Sequence, residues 1–261
     1  MRIAITRAVS PAVAECELTH LERRPIDYRR ATAQHRAYEA ALRALGCEVR
    51  ALPAETRLPD SVFVEDIAVV LDEVAILTRP GAPSRRAETA SLAPVLSSYR
   101  PLLSIEAPGT LDGGDVLRVD RVLYVGRTGR TNQAGIDQLT RALAPYGYRV
   151  QGVDVQGCLH LKSAVTLVGP RSLLANTQWI ESKAFTECEV VDIDPAEPYA
   201  ANGLLLGERV IYPTSFPATA RRLEQRGVGL VALDVSELQK AEGAVTCCSL
   251  VFEDRVLPTS P

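Results

Sequence analysis

Apolar residues recur along this chain in one order: two short runs joined by a tight turn, a stretch with helical spacing, then a third short run. The first copy takes residues 64–71, a turn at Asp72-Glu73, residues 74–78, a helical stretch over 84–97 with Ser84 as its N-cap, and a strand over 102–105. The second takes 115–119, 122–125, a helix over 132–144 and a strand over 149–155; Ile136, Leu139 and Leu143 share one helical face. The third takes 164–168, 172–175, a weaker helix over 180–185 and a strand over 190–193. The fourth takes 203–206, 209–212, a helix over 217–225 and a strand over 229–233, with Pro217 suited to a first helical turn and Gly227 to a stop. The fifth copy stops early. It has 249–252, a turn at Glu253-Asp254 and a second strand at 256–257, but no helix. The missing parts stand near the other terminus: Ala31, Tyr38, Leu42 and Leu45 share a face over 28–45, Gly46 ends that helix, and a strand follows over 49–52.

Asp66, Asp115, Ser163, Asn202 and Ser249 each precede the first strand of a copy, at separations of 49, 48, 39 and 47 residues. Such periods indicate supersecondary units that complete one another's cores. Completion of the last unit from the N-terminus predicts a closed ring of five ββαβ units, with these positions facing a common hub. The alternative is an α/β sandwich in which the spacing is accidental.

Composition narrows the function. The 261 residues are 46% hydrophobic and 23% charged, enough for a large core; length alone allows one or two domains, and a closed ring makes a single domain spanning 1–261 the expectation. The balance of 29 basic against 32 acidic side chains disfavours nucleic acid as the main partner. No apolar run approaches the length of a membrane span, and the opening Met1-Arg2-Ile3-Ala4-Ile5-Thr6-Arg7 reads as a strand rather than a signal peptide. The cysteines at 16, 47, 158, 188, 247 and 248 follow no disulfide framework, so reduced thiols and a cytoplasmic location are expected.

In a ring, the stretches before each first strand meet: Phe63-Val64-Glu65-Asp66, Leu111-Asp112-Gly113-Gly114-Asp115, Leu159-His160-Leu161-Lys162-Ser163, Ala201-Asn202 and Thr246-Cys247-Cys248-Ser249. Together they supply carboxylates, a histidine and a cysteine, the parts of a nucleophilic site in which imidazole and carboxylate support a thiolate. Of the three histidines, His20 and His35 lie off the register and His160 lies on it. Crowded carboxylates also favour a cationic substrate. Taken singly, each feature has an ordinary structural reading: a buried thiol, a core histidine, a tight turn, a salt-bridged Lys162. A zinc site at Cys158, His160 and Cys247-Cys248 lacks paired spacing, and no glycine-rich nucleotide motif is present.

These blocks, with Thr78-Arg79-Pro80-Gly81-Ala82-Pro83-Ser84-Arg85-Arg86 and Arg130-Thr131-Asn132-Gln133, resemble the dimethylarginine dimethylaminohydrolase family in order and over nearly the whole chain. The resemblance implies a five-bladed α/β propeller, the pentein fold, matching the ring read from the spacing. It implies Cys247 as nucleophile, His160 as general acid and base, and Asp112 as the carboxylate that orients His160. It places Glu65 and Asp66 around a substrate guanidinium, Arg85 and Arg130 on its α-carboxylate, Asp60 and the backbone near Leu18 on its α-amino group, and Ala241 against the nucleophile loop. Glu242-Gly243 stands where the family often has Asp-Gly. The expected reaction turns Nω-methylated arginine into citrulline through a covalent thiouronium, with no metal or cofactor. The expected partner is the small-molecule substrate, with no nucleic acid or membrane, and a homodimer is the assembly considered. The alternatives are an arginine or agmatine deiminase or an amidinotransferase of the same superfamily, and a non-catalytic ribosome-binding protein of the same fold. Residues 7–28 form a long connector with a poor helical pattern, expected to act as a lid that is mobile without ligand.

Overall fold

The computed structural model describes residues 1–254. Its elements are β1 (Arg2–Arg7), α1 (Tyr28–Ala44), β2 (Cys47–Leu52), β3 (Ala68–Val70), β4 (Ala75–Leu77), α2 (Thr89–Leu96), β5 (Leu102–Ser104), β6 (Val116–Val119), β7 (Val122–Arg127), α3 (Gln133–Leu143), β8 (Arg149–Asp154), α4 (Leu161–Ala164), β9 (Val165–Gly169), β10 (Ser172–Ala175), β11 (Glu189–Asp192), β12 (Leu204–Leu206), β13 (Arg209–Pro213), α5 (Pro217–Gln225), β14 (Gly229–Leu233), α6 (Ser236–Gln239) and β15 (Leu250–Glu253). The strands form five three-stranded sheets. In each, the middle strand is antiparallel to one neighbour and parallel to the other. In four of them a tight turn joins the antiparallel pair, and in all five a crossover connection joins the parallel one.

The fifth sheet closes the ring. β15 pairs with β1, Arg2 opposite Glu253 and Ile5 opposite Leu250, and β1 pairs in parallel with β2. Among the described residues the strand that pairs with β15 is β1, whose Ile3, Ala4 and Ile5 are wholly buried. The strand expected at 256–257 lies outside the described residues. First strands of all five sheets line one cleft, which Val69, Leu117, Thr166, Leu204 and Val251 share. This is the ring, not the sandwich.

The helices follow their patterns in three units. Ile136, Leu139 and Leu143 of α3 are buried, each contributing roughly 1.5–3 kcal/mol, and Asn132 caps the helix by accepting the Gly135 N–H at 2.9 Å. In α1, Asp27 caps the N-terminus while Ala31, Tyr38 and Leu42 face the core. Pro217 opens α5, and Gly227 follows it at φ +79°. Two expectations change. The helix expected over 84–97 is a 3-10 segment, Pro83–Glu88, followed by α2, and Ser84 caps neither; its hydroxyl donates to Glu17 at 2.5 Å instead. The helix expected over 180–185 shrinks to a 3-10 turn at Ser182–Ala184, because Ile180 bridges to Val155. Among the described residues, no helix is long and apolar enough to cross a membrane.

Candidate active site

The residues that precede each first strand meet at the hub. Asp66 lies in a 3-10 turn at Val64–Ile67, Asp115 in one at Gly113–Asp115, and Ser163 in α4. Asp66, Asp115, Asn202 and Ser249 are buried, and Ser163 is half-buried. On one side of the hub a narrow cavity is lined by Asp60, Asp66, Arg85, Arg130, His160, Ala241 and Cys247, with Glu17, Phe63, Leu159, Glu242 and Gly243 completing its walls. Seven of the ten residues expected at the site thus share one cavity.

His160 is held from two sides. Its Nε2 lies 2.9 Å from Asp112 Oδ2, and its Nδ1 lies 3.7 Å from Asp66 Oδ1. Asp112 is wholly buried behind the imidazole and accepts the Gly81 N–H at 2.9 Å. Asp66 accepts the Gly114 N–H at 3.1 Å and an Arg85 Nη1–H at 2.5 Å. A Cβ at Gly114 would stand 2.6 Å from both Asp66 Oδ1 and His160 Nδ1. This glycine therefore lets the first two blades and the histidine approach, beyond making a turn.

Charge in the cavity is strongly shaped. Burial works against the imidazolium of His160, but Asp66, the hydrogen bond it donates to Asp112, and Asp115 outweigh it and raise its pKa to about 9. Burial also pushes the carboxyl of Asp66 up, yet His160, Arg85 and Arg130 hold it below the usual carboxylate range. Cys247 is pushed well above the ordinary thiol range by burial, then by Glu65 and Asp66. The unliganded site therefore favours a neutral thiol beside an imidazolium. Asp60 is raised by burial, against the pull of Arg85. Asp66, Asp112 and His160 bring potential metal-ligating atoms within 4.8 Å of one another. Arg85 on Asp66, and Arg130 at 3.6 Å from Asp112, already supply compensating positive charge.

The two arginines differ. Arg85 gives its N–H groups to Asp66, to both oxygens of Glu88 and to the carbonyls of Asp60 and Phe63. It organises the acid wall, and most of its donors are committed within the protein, unlike the paired carboxylate clamp expected from the sequence. Arg130 is buried too, but its Nη1 has no hydrogen-bond partner among the described residues. Glu65 also departs from expectation. Its side chain turns to the opposite mouth of the hub, where it takes Lys162 Nζ at 2.5 Å and the Thr246 hydroxyl at 2.8 Å. Its backbone N–H still meets the carbonyl of Cys247 at 3.1 Å. Lys162 is thus a salt-bridged side chain, as expected.

The connector before α1 covers the cavity. The N–H groups of Thr19, His20 and Leu21 all point at the Glu242 carboxylate, at 3.0, 2.5 and 2.6 Å. Arg130 Nη2 donates to Thr19 Oγ1 at 3.3 Å, and the Glu17 N–H donates to Asp60 Oδ2 at 3.1 Å. Leu18 packs with the apolar cluster of Phe63, Ala241 and Val245, while Glu17 beside it reaches the cavity. Sequence reasoning missed Glu17, Glu88 and the part played by Glu242; of these, only Glu242 carried a signal, as a departure from the resembled pattern.

A family model described as N,N dimethylarginine dimethylhydrolase, eukaryotic, matches residues 19–195. An N(G),N(G)-dimethylarginine dimethylaminohydrolase of Streptomyces coelicolor is 43% identical over 249 residues, covering 95% of each chain. The chain belongs to the dimethylarginine dimethylaminohydrolase family. A solved dimethylarginine dimethylaminohydrolase of Pseudomonas aeruginosa, a cysteine-to-serine mutant complexed with citrulline, superposes with a TM-score of 0.91 at 35% identity, covering 95% of this chain and 98% of that one. A second dimethylarginine dimethylaminohydrolase structure, a histidine-to-glycine mutant in an adduct with S-methyl-L-thiocitrulline, gives a TM-score of 0.91 at 34% identity and covers 97% and 100% of the two chains. The five-bladed fold of this dimethylarginine dimethylaminohydrolase family member is therefore the pentein fold.

Proposed function

We propose that this chain hydrolyses Nω-methylated arginine to citrulline and the corresponding methylamine, as one catalytic unit, with Cys247 as nucleophile. The observation that carries the reading is the cavity itself: Cys247, His160 and Asp66 share its walls with Arg130, whose Nη1 has no hydrogen-bond partner among the described residues. A substrate guanidinium suits the Asp66 side, and its carboxylate suits Arg130. Asp60, with Glu17 on its far side, suits an amino group.

The charge state supplies the logic. A guanidinium placed between Asp66 and Cys247 favours the thiolate, so the thiol loses its proton to solvent as the cation arrives. The thiolate adds to the guanidinium carbon. Nε2 of His160 is committed to Asp112, so Nδ1 delivers the proton to the leaving amine. A cationic thiouronium remains on Cys247. Neutral His160 then takes a proton from water as the oxygen adds to the same carbon. Collapse expels the thiolate, and loss of a proton gives citrulline. The lid over Glu17 to Leu21 excludes bulk water during the first half of this sequence. Citrulline release measured side by side on dimethylarginine, monomethylarginine and arginine tests the reading. Turnover of arginine alone would favour a deiminase, and no turnover of any of the three would favour a non-catalytic role.

A further inference from the structure

A buried carboxylate outside the cavity is linked to three of the elements that line it or stand behind it. Asp115 is wholly buried at the start of β6 and is absent from the cavity walls. Its Oδ1 accepts the backbone N–H of Leu161, the residue after His160, at 2.9 Å. Its Oδ2 accepts the hydroxyls of Thr128 at 2.7 Å and Thr131 at 2.6 Å. Those hydroxyls are relays. Thr131 Oγ1 accepts the N–H of Asp112 at 3.1 Å, and Thr128 Oγ1 accepts the N–H of Arg130 at 3.1 Å. Opposite it, β7 carries Gly126, where a Cβ would stand 2.7 Å from Asp115 Oδ1.

We propose that Asp115 is the positioning residue of this active site, its single carboxylate fixing the backbones that carry His160, Asp112 and Arg130 relative to one another. The inference rests on the functional reading above for the roles of those three residues. The hydrogen-bond directions leave little choice of side chain. Each threonine hydroxyl spends its one proton on Asp115 and receives an N–H in return, so Asp115 must offer acceptors on both oxygens. An asparagine is the same size but wrong in either orientation. One flip aims its amide at the Leu161 N–H, the other at two hydroxyls that already receive N–H groups. Three acids face His160, namely Asp66, Asp112 and Asp115, while Arg85 and Arg130 oppose them from behind Asp66 and Asp112, and the neutral thiols of Cys158 and Cys247 lie nearby. Removing the Asp115 charge therefore alters the imidazole as well as the frame.

The test compares the unsubstituted chain with Asp115→Asn, Thr131→Val and Thr131→Ser, reading citrulline release across pH and the titration of the His160 ring by NMR. Asp115→Asn is expected to lower kcat by roughly 10- to 100-fold, the range for a displaced catalytic group, and to move the His160 midpoint downward. Thr131→Val should lose kcat while Thr131→Ser retains it, which keeps the proposal open to refutation if Asp115→Asn fails to fold. A folded Asp115→Asn with unchanged kcat and an unchanged His160 midpoint overturns the proposal, as does a Thr131→Val variant indistinguishable from Thr131→Ser. The NMR titration needs no substrate. An inactive unsubstituted chain whose His160 still responds to Asp115→Asn refutes the functional reading and leaves the positioning role standing.

Discussion

Oε1 of Glu242 lies 2.6 Å from the backbone nitrogen of Leu21, joining the loop before Cys247 to the cover over the cavity. The same carboxylate takes the N–H groups of Thr19 and His20, and Glu242 holds a left-handed backbone, φ +56°, to reach them. Removing it as Glu242→Ala should free residues 17–21, with faster hydrogen exchange there and a fall in kcat/KM of about 10- to 100-fold, given about 1.5–3 kcal/mol for hydrogen bonds to a charged group. Glu242→Asp keeps the charge but shortens the reach, and should fall between. Unchanged exchange in Glu242→Ala would show that the cover is held by other contacts.

Cys247 and Cys248 stand side by side in the turn before β15 and meet different surroundings. Cys247 is half-buried and faces the cavity; Cys248 is 1% exposed, with its thiol on the carbonyl of Ala244. Cys247→Ser should abolish turnover and leave the thermal midpoint nearly unchanged. Cys248→Ser should keep most activity and lose about 1 kcal/mol of stability through a polar group in an apolar cluster. The reverse outcome would exchange their roles.

His160 sets a pH limit on both stability and rate. Its folded-state pKa of about 9 lies above the ordinary 6.5. The stabilisation it brings is complete below pH 6.5 and is lost as pH rises through about 9. Citrulline release should decline on the same limb, because the leaving amine needs the imidazolium. Thermal midpoints of the unsubstituted chain and His160→Gln, compared across this range, should converge at the alkaline end. A constant gap between them would remove His160 as the source.

Cys247 reactivity should respond to charge in the cavity. Its thiol lies above the ordinary range because of burial and the acids Glu65 and Asp66, so alkylation by iodoacetamide at neutral pH should be slow. A guanidinium ligand that leaves the sulfur accessible should speed it several-fold, and Asp66→Asn should weaken binding of that ligand. Peptide mapping by mass spectrometry separates Cys247 from the other five thiols. Equal rates with and without ligand would shift thiolate formation onto His160.

What could be read from sequence was local or periodic. Asn132 before an apolar face, Pro217 and Gly227 around α5, and the register that singled out His160 all follow from short-range rules. What could not was decided across the ring. Nothing near Arg85 shows that its guanidinium turns inward to Glu88 and Asp66 instead of toward a ligand. Glu65 and Asp66 are neighbours on one 3-10 turn, so their side chains leave it in different directions, one to each mouth of the hub. The pairing of β15 with β1 spans 251 residues, and no window of local pattern contains both strands.

That pairing also gives the molecule a schedule. Among the described elements β1 comes first and β15 last, so this seam joins only after every other described strand is available. Cys247 stands three positions before β15, its carbonyl held by the Glu65 N–H. The turns that carry Asp66 and Arg130 belong to sheets paired without β15, whereas Cys247 takes its place beside them only once β15 has joined β1. The cavity is therefore the last thing the ring completes as it shuts.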